Sequence, residues 1–387
     1  MQNKKLTESV YYVGADDKTL DLFEGQYVIP EGISYNSYVI MDDKIAVMDT
    51  VDKRGTDEWF QNLEEVLNGK EPDYLVILHM EPDHAANIEH FLNRYKKAKV
   101  VSNPKTFNMI PQFFEHLDLE GRKVVVNEGD ELSLGSHTLT FVMAPMVHWP
   151  EVMVAYEKKE KILFSADAFG KFGALDVEDE WDCEARRYYF GIVGKFGKNV
   201  QAVLQKVAAF DVECICPLHG PVLSENLAYY VETYTTWAHY EPENSGVTIA
   251  YASVYGHTKQ AAEELARALE EKGQTVSLFD LARDDMAEAV EDAFRYDRLV
   301  LASITYAGDI FPFMTTFIHT LAERAYQNRK VAFIESGTWA PVAAKAMRAQ
   351  MEQLSGIEFA ETVVTVRGSV DDAARAQIAA LANELAS

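Results

Sequence analysis

His79-Met80-Glu81-Pro82-Asp83-His84 directly follows the apolar run Tyr74-Leu75-Val76-Ile77-Leu78. Five consecutive residues suited to a buried strand are followed at once by four side chains able to bind a metal. A loop at the strand's carboxyl end can aim those side chains inward. The hexapeptide therefore reads as one half of a metal cage, and the other half is to be sought where further apolar runs end.

Three such places stand out. His148 follows Leu139-Thr140-Phe141-Val142-Met143 and the turn Ala144-Pro145-Met146, Asp167 follows Ile162-Leu163-Phe164-Ser165, and His219 follows Val212-Glu213-Cys214-Ile215-Cys216. With His79, Glu81, Asp83 and His84 they make four imidazoles and three carboxylates. That exceeds what one tetrahedral ion takes and suits two ions sharing a bridging carboxylate. A single His or Asp at a strand end is more often a capped loop residue, so the ordered set of seven carries the reading. His90, His116, His137, His239, His257 and His319 receive no metal role.

The order His-x-Glu-x-Asp-His, then His, Asp and His at later strand ends, resembles the ligand pattern of the metallo-beta-lactamase fold. Glu81 in place of a second histidine resembles, within that fold, the flavodiiron proteins. A histidine there goes with zinc, a Lewis acid without redox chemistry, whereas a carboxylate-richer set suits iron with coordination positions open to a diatomic gas. The resemblance implies two iron ions, with His79, Glu81 and His148 on one, Asp83, His84 and His219 on the other, and Asp167 bridging. It further implies reduction of dioxygen to water or of nitric oxide to nitrous oxide. A head-to-tail homodimer, or a dimer of dimers, would bring the FMN of one subunit to the irons of the other.

A length of 387 residues predicts two or three domains. Hydrophobic content of 48% and aromatic content of 11% are ordinary for globular protein and indicate neither disorder nor a membrane class. No apolar run approaches bilayer length, and Met1-Gln2-Asn3-Lys4-Lys5-Leu6-Thr7-Glu8 lacks the apolar core of a secretory signal, so a soluble cytoplasmic protein is expected. The net charge of −25 repels phosphate backbones and argues against nucleic acid as a partner. Residues 247–387 carry 13 basic and 20 acidic side chains, so most of the excess charge lies in the amino-terminal part. The three cysteines, Cys183, Cys214 and Cys216, provide neither a disulfide framework nor the paired C-x-x-C knuckles of a rubredoxin-type iron site. Electrons are thus expected from a separate donor, with rubredoxin or a reduced deazaflavin as candidates.

Along the chain, Tyr38-Val39-Ile40-Met41 and Ile45-Ala46-Val47-Met48 flank the turn Asp42-Asp43-Lys44 as a hairpin. Helices fit Thr56 to Leu67, with Thr56 as N-cap, Ala85 to Tyr95, and Pro104 to about His116. Strands fit 99–101, 124–126, 131–134, 137–142, 152–156 and 161–165. Mixed sheets with helices outside them predict an αββα sandwich, the metallo-beta-lactamase-like arrangement, over residues 1–245. Phe169-Gly170-Lys171-Phe172-Gly173-Ala174 reads either as a pocket-lining loop or as a surface turn. A long helix is expected within Arg186 to Phe210, its start Arg187-Tyr188-Tyr189 bringing a phenol near the metals. Glu241-Pro242-Glu243-Asn244-Ser245-Gly246 marks the domain boundary.

Residues 247–387 then alternate five times between strand and helix, which predicts an open, doubly wound parallel five-stranded sheet with ligands outside the strands' carboxyl ends. Three loops there have suitable chemistry. Ser253-Val254-Tyr255-Gly256-His257-Thr258 offers hydroxyls and backbone N–H groups at a helix start to a phosphate dianion. It resembles the flavodoxin phosphate loop and lacks both the dinucleotide fingerprint and the Walker lysine. Ser303-Ile304-Thr305-Tyr306-Ala307-Gly308-Asp309 and Ser336-Gly337-Thr338-Trp339-Ala340 each add an aromatic beside flexible backbone, suited to enclosing an isoalloxazine. FMN is the expected cofactor. Two rivals remain: a zinc hydrolase with an accessory flavodoxin domain, and an electron carrier whose amino-terminal half only scaffolds.

Overall fold

The turn Asp42-Asp43-Lys44 closes a hairpin in which Tyr38–Ile40 runs antiparallel to Ala46–Met48, with Val39 opposite Val47. The computed structural model describes residues 5–387, which fall into two units, one reaching to Thr235 and the other beginning at Thr236.

In the first unit the hairpin lies within a six-stranded sheet ordered Val10–Tyr12, Tyr38–Ile40, Ala46–Met48, Tyr74–Val76, Lys99–Ser102 and Lys123–Val125. A second sheet runs Glu131–Ser133, Thr138–Met143, Met153–Glu157, Ile162–Phe164 and Cys214–Cys216. The two meet through the Tyr38 hydroxyl, which donates to Pro217 O at 2.7 Å, and through Met153 N–H, which donates to Leu78 O at 3.1 Å. Ala46–Met48 and Met153–Glu157 are buried at every position, so the middle of each sheet is covered on both faces. Trp59, Leu63 and Leu67, at helical spacing, supply part of that cover.

Three helices differ from expectation. Thr56 is the first residue of Thr56–Leu67 and not its cap; its hydroxyl bonds to Lys53 O and Asn87, and left-handed Asn68 ends the helix. The expected helix 85–95 is two pieces: Pro82–Ala85, which starts early because Pro82 suits a helical first position, and Ile88–Arg94. Asp83 and His84 are therefore on a short helix. The expected long helix breaks into Trp181–Tyr188, a wide turn Tyr189–Val193 and, after Gly194, Gly197–Val207. Tyr27 causes part of the break: its hydroxyl donates to Gly191 O at 2.8 Å, and a Cβ at Gly191 would lie 2.9 Å from its ring.

The second unit is a parallel sheet ordered Val276–Asp280, Asn244–Ala252, Tyr296–Tyr306, Lys330–Ser336 and Glu358–Val366. Its first strand in the chain pairs with the second on one side and the third on the other, a flavodoxin-like switch of direction that opens a crevice at the carboxyl ends. The helices His257–Glu270 and Asp372–Ala386 pack on one face over Val247, Ile249, Val300 and Ile334. The third strand runs past the expected Ser303 and doubles back into Asp309–Ile310. Ala307 and Gly308, both left-handed, form the two-residue turn such a hairpin requires. Among the described residues no helix is long and apolar enough to cross a membrane.

Candidate metal centre

The strand Tyr74–Val76 delivers His79, and the short helix Pro82–Ala85 carries Asp83 and His84 with Glu81 at its cap position. His148, Asp167 and His219 arrive from the ends of Thr138–Met143, Ile162–Phe164 and Cys214–Cys216. All seven converge as two groups: His79, Glu81, His148 and Asp167, and beside them Asp83, His84 and His219.

Asp167 lies between the groups. Its Oδ2 is 3.1 Å from His148 Nε2 and 3.3 Å from His79 Nε2, while its Oδ1 is 3.1 Å from His84 Nε2. Glu81 Oε2 is 3.0 Å from His148 Nε2 and 3.2 Å from His79 Nε2, and Asp83 Oδ2 is 3.2 Å from His219 Nε2. Ligands about 2.1 Å from a common ion stand roughly 3.0–3.4 Å apart, so these edges fit metal cages.

The outer nitrogens fix which lone pairs face inward. His79 Nδ1 donates to Glu151 Oε1 at 2.8 Å, an oxygen that also accepts Met80 N–H, and His219 Nδ1 donates to Ser34 O at 2.7 Å. In neutral imidazoles with those outer bonds, both Nε2 lone pairs would face the centre, as metal ligation needs. His84 Nε2 and His219 Nε2 are only 3.1 Å apart, and both Asp83 oxygens, Asp167 Oδ1 and His84 Nδ1 are buried without a hydrogen-bond partner. Burial opposes charge on His79, yet the charge of Asp167 and hydrogen bonds accepted by Asp167, Glu151 and Glu81 raise its pKa well above the ordinary value. Burial likewise opposes the Asp167 carboxylate, and His79, His84 and His148 hold its pKa well below the ordinary value. Such a buried cluster requires cations, and two divalent ions fit the donor set.

The loops are held in uncommon backbone. Met146, Ala166 and Phe169, beside His148 and Asp167, all have positive φ without being glycine. Phe169 to Ala174 is buried throughout and is no surface turn, and a Cβ at Gly170 would approach Asp167 O tightly, to 3.0 Å. Tyr188 is buried with its ring 5.4 Å from that of His219, whereas Tyr189 packs on Tyr234.

The three flavin-type loops gather at the carboxyl ends of the second sheet. His257 opens its helix behind left-handed Gly256, whose N–H donates to Ser253 Oγ at 3.1 Å. Thr258 Oγ1 and Ser336 Oγ, 2.7 Å apart, tie the first loop to the third, and Thr305 Oγ1 accepts Val342 N–H at 2.9 Å, tying the second to the third. Tyr255, Tyr306 and Trp339 are exposed around them.

Residues 33–220 match the family model described as ODP family beta lactamase, and residues 248–373 match that of a flavodoxin domain. The nitric oxide reductase of Moorella thermoacetica is 28% identical over 372 residues, covering 94% of this chain and 92% of that protein. The anaerobic nitric oxide reductase flavorubredoxin of Vibrio vulnificus is 28% identical over 370 residues, covering 92% of this chain and 74% of the relative. The solved rubredoxin oxygen:oxidoreductase of Desulfovibrio gigas superposes with a TM-score of 0.91 at 26% identity, covering 99% of this chain and 97% of that one. The chain belongs to the flavodiiron family. As a flavodiiron protein it is an oxidoreductase whose cofactors are FMN and a pair of irons, which removes the grounds for the hydrolase and scaffold alternatives.

Sequence reasoning missed Glu151, Asp49 and Ser34. Asp49 Oδ1 accepts Leu78 N–H at 2.8 Å and so fixes the ligand loop. It follows the strand Ala46–Met48, the same signal that located Asp167. Glu151 and Ser34 carry no such mark.

Proposed function

We propose that this flavodiiron protein reduces dioxygen to water and nitric oxide to nitrous oxide at its iron pair, with FMN relaying electrons from an external donor, rubredoxin or a reduced deazaflavin. The observation that carries the reading is Asp167, which turns one oxygen to each group of imidazoles. In this assignment His79, Glu81 and His148 would hold one iron, Asp83, His84 and His219 the other, and Asp167 would serve both. The irons, when bound, supply one-electron steps and open positions for a diatomic gas. Glu151 and Ser34 keep the imidazoles correctly oriented, and the buried walls keep water from the reacting atoms.

FMN is assigned to Ser253–Thr258, to Ser303, Thr305, Tyr306, Ala307 and Gly308, and to Ser336, Gly337, Thr338 and Trp339. The phosphate would sit at the start of the helix His257–Glu270, and Tyr306 and Trp339 would flank the ring. We assign residues 1–245 to the diiron domain and 247–387 to the FMN domain, in a cytoplasmic protein acting as a head-to-tail homodimer or a dimer of such dimers. The test is anaerobic reduction of the iron- and FMN-loaded protein, followed by separate oxidation with each gas while flavin absorbance is recorded. Recovery of oxidised flavin with both gases is expected, and recovery with neither refutes the proposal.

A further inference from the structure

Behind the ligand loops of the first unit lie a small apolar cavity and a larger, half-open and mostly apolar one that also has Asp211 on its wall. The inner one, of about 20 Å³, is bounded by Val147, Ala168, Val200 and Val203. The outer one, of about 320 Å³, reaches Leu227 and Val231, the latter exposed. Leu163, Phe169, Leu204 and Val207 line both and so form the wall they share.

Val147 and Ala168 are the chain neighbours of His148 and Asp167, whose Nε2 and Oδ2 are 3.1 Å apart. The inner cavity therefore abuts the backs of two ligand loops. Polar groups on its walls are engaged elsewhere: Ser165 Oγ donates to Ala168 O at 2.8 Å, and the Tyr234 hydroxyl accepts Phe169 N–H at 2.6 Å. A space with room for about one water but no polar partners for it stays dry and takes up small apolar guests such as xenon. Organic molecules and ions are excluded by size and by lack of solvation, whereas an uncharged diatomic gas meets both conditions. Phe169 has φ +67, an uncommon value for a bulky residue, and its ring lies 4.3 Å from that of Tyr234.

We propose that these cavities conduct the diatomic substrate, the outer one collecting gas and the inner one holding a single molecule behind His148 and Asp167, with Leu163, Phe169, Leu204 and Val207 as the wall between them. This rests on the gas-reduction reading above. The test pressurises crystals of the iron- and FMN-loaded protein with xenon and, in parallel, measures steady-state kinetics against dissolved gas. Xenon is expected in the inner cavity. Leu204→Trp, at a half-buried position, is expected to displace it and to lower kcat/KM for either gas at least tenfold through KM, with kcat, iron content and the rate of flavin reduction unchanged. Val207→Phe, a smaller intrusion, is expected to give an intermediate fall and serves if Leu204→Trp does not fold. Absence of xenon from a protein that reduces gas overturns the proposal, as does an unchanged KM in a variant that has lost xenon. Failure of the functional reading looks different: neither gas is reduced, whatever xenon does, and the conduction proposal falls with it.

Discussion

The two cofactor regions are built on opposite plans. Of the metal-centre side chains, His79, His84 and His219 are wholly buried, and the other nitrogens of His79 and His219 are tied to Glu151 and Ser34. The flavin loops leave Tyr255 86% and Trp339 90% exposed, and two hydroxyl groups, those of Thr258 and Thr305, bind one loop to the next. The difference follows from what each must hold. Compact charge is worth most where water is absent, and burying it is tolerable only if every ligand is already aimed. On the proposed assignment, a planar cofactor reduced from outside would need an accessible edge, and the exposed aromatics would flank its ring at the rim. One site is prebuilt, and the other is completed by its occupant.

The contrast breaks most severely at Asp167. Asp167→Ala is expected to reduce iron from two per chain toward none and gas reduction by on the order of a hundredfold or more, with FMN content unchanged. Metal analysis and flavin absorbance on one preparation check it, and two retained irons would show that the centre does not depend on a bridge. Glu151→Gln should be milder. It keeps an acceptor near His79 Nδ1 but removes the charge, so iron affinity, read by competition with a chelator, is expected to fall about tenfold. If affinity is unmoved, orientation of His79 does not rest on Glu151.

The same contrast governs how much was readable from the chain. The seven candidate ligands were legible because each follows an apolar strand, so strand prediction and ligand type reinforced one another. The five strand-helix units were equally plain, since a parallel sheet buried on both faces leaves continuous apolar runs such as Leu299–Ala302 and Val331–Ile334. Glu151 was not legible, because its role depends on a hydrogen bond spanning 72 residues to His79, and nothing local distinguishes it from any surface glutamate. The break near Gly191 was hidden for the same reason: it is set by Tyr27, far away in the chain. The hairpin after Tyr306 lay within reach, since Ala307-Gly308 between pairing residues is a local turn signal.

In the second unit the effects should be smaller and confined to flavin. Thr258→Val removes the buried hydroxyl contact to Ser336, which is 2.7 Å long. A net loss of about 1 kcal/mol, or roughly a fivefold rise in the Kd for FMN, is expected by titration of the flavin-free protein, with iron content unaltered. An unchanged Kd would mean that the loops are shaped without that tie.

Trp339→Phe should be the mildest. At 90% exposure the indole contributes little to folding, so thermal stability of the flavin-free protein is expected to stay within about 0.5 kcal/mol of the parent. Phenylalanine keeps an aromatic face but offers less area, and FMN should bind more weakly by about 0.5 kcal/mol, roughly twofold. The two readouts separate the roles of the residue. A fall in stability without flavin would place Trp339 in the protein's own packing, and unchanged flavin affinity would remove it from the ring's enclosure. Only a binding loss unaccompanied by a folding loss fits an aromatic held at the rim for its ligand.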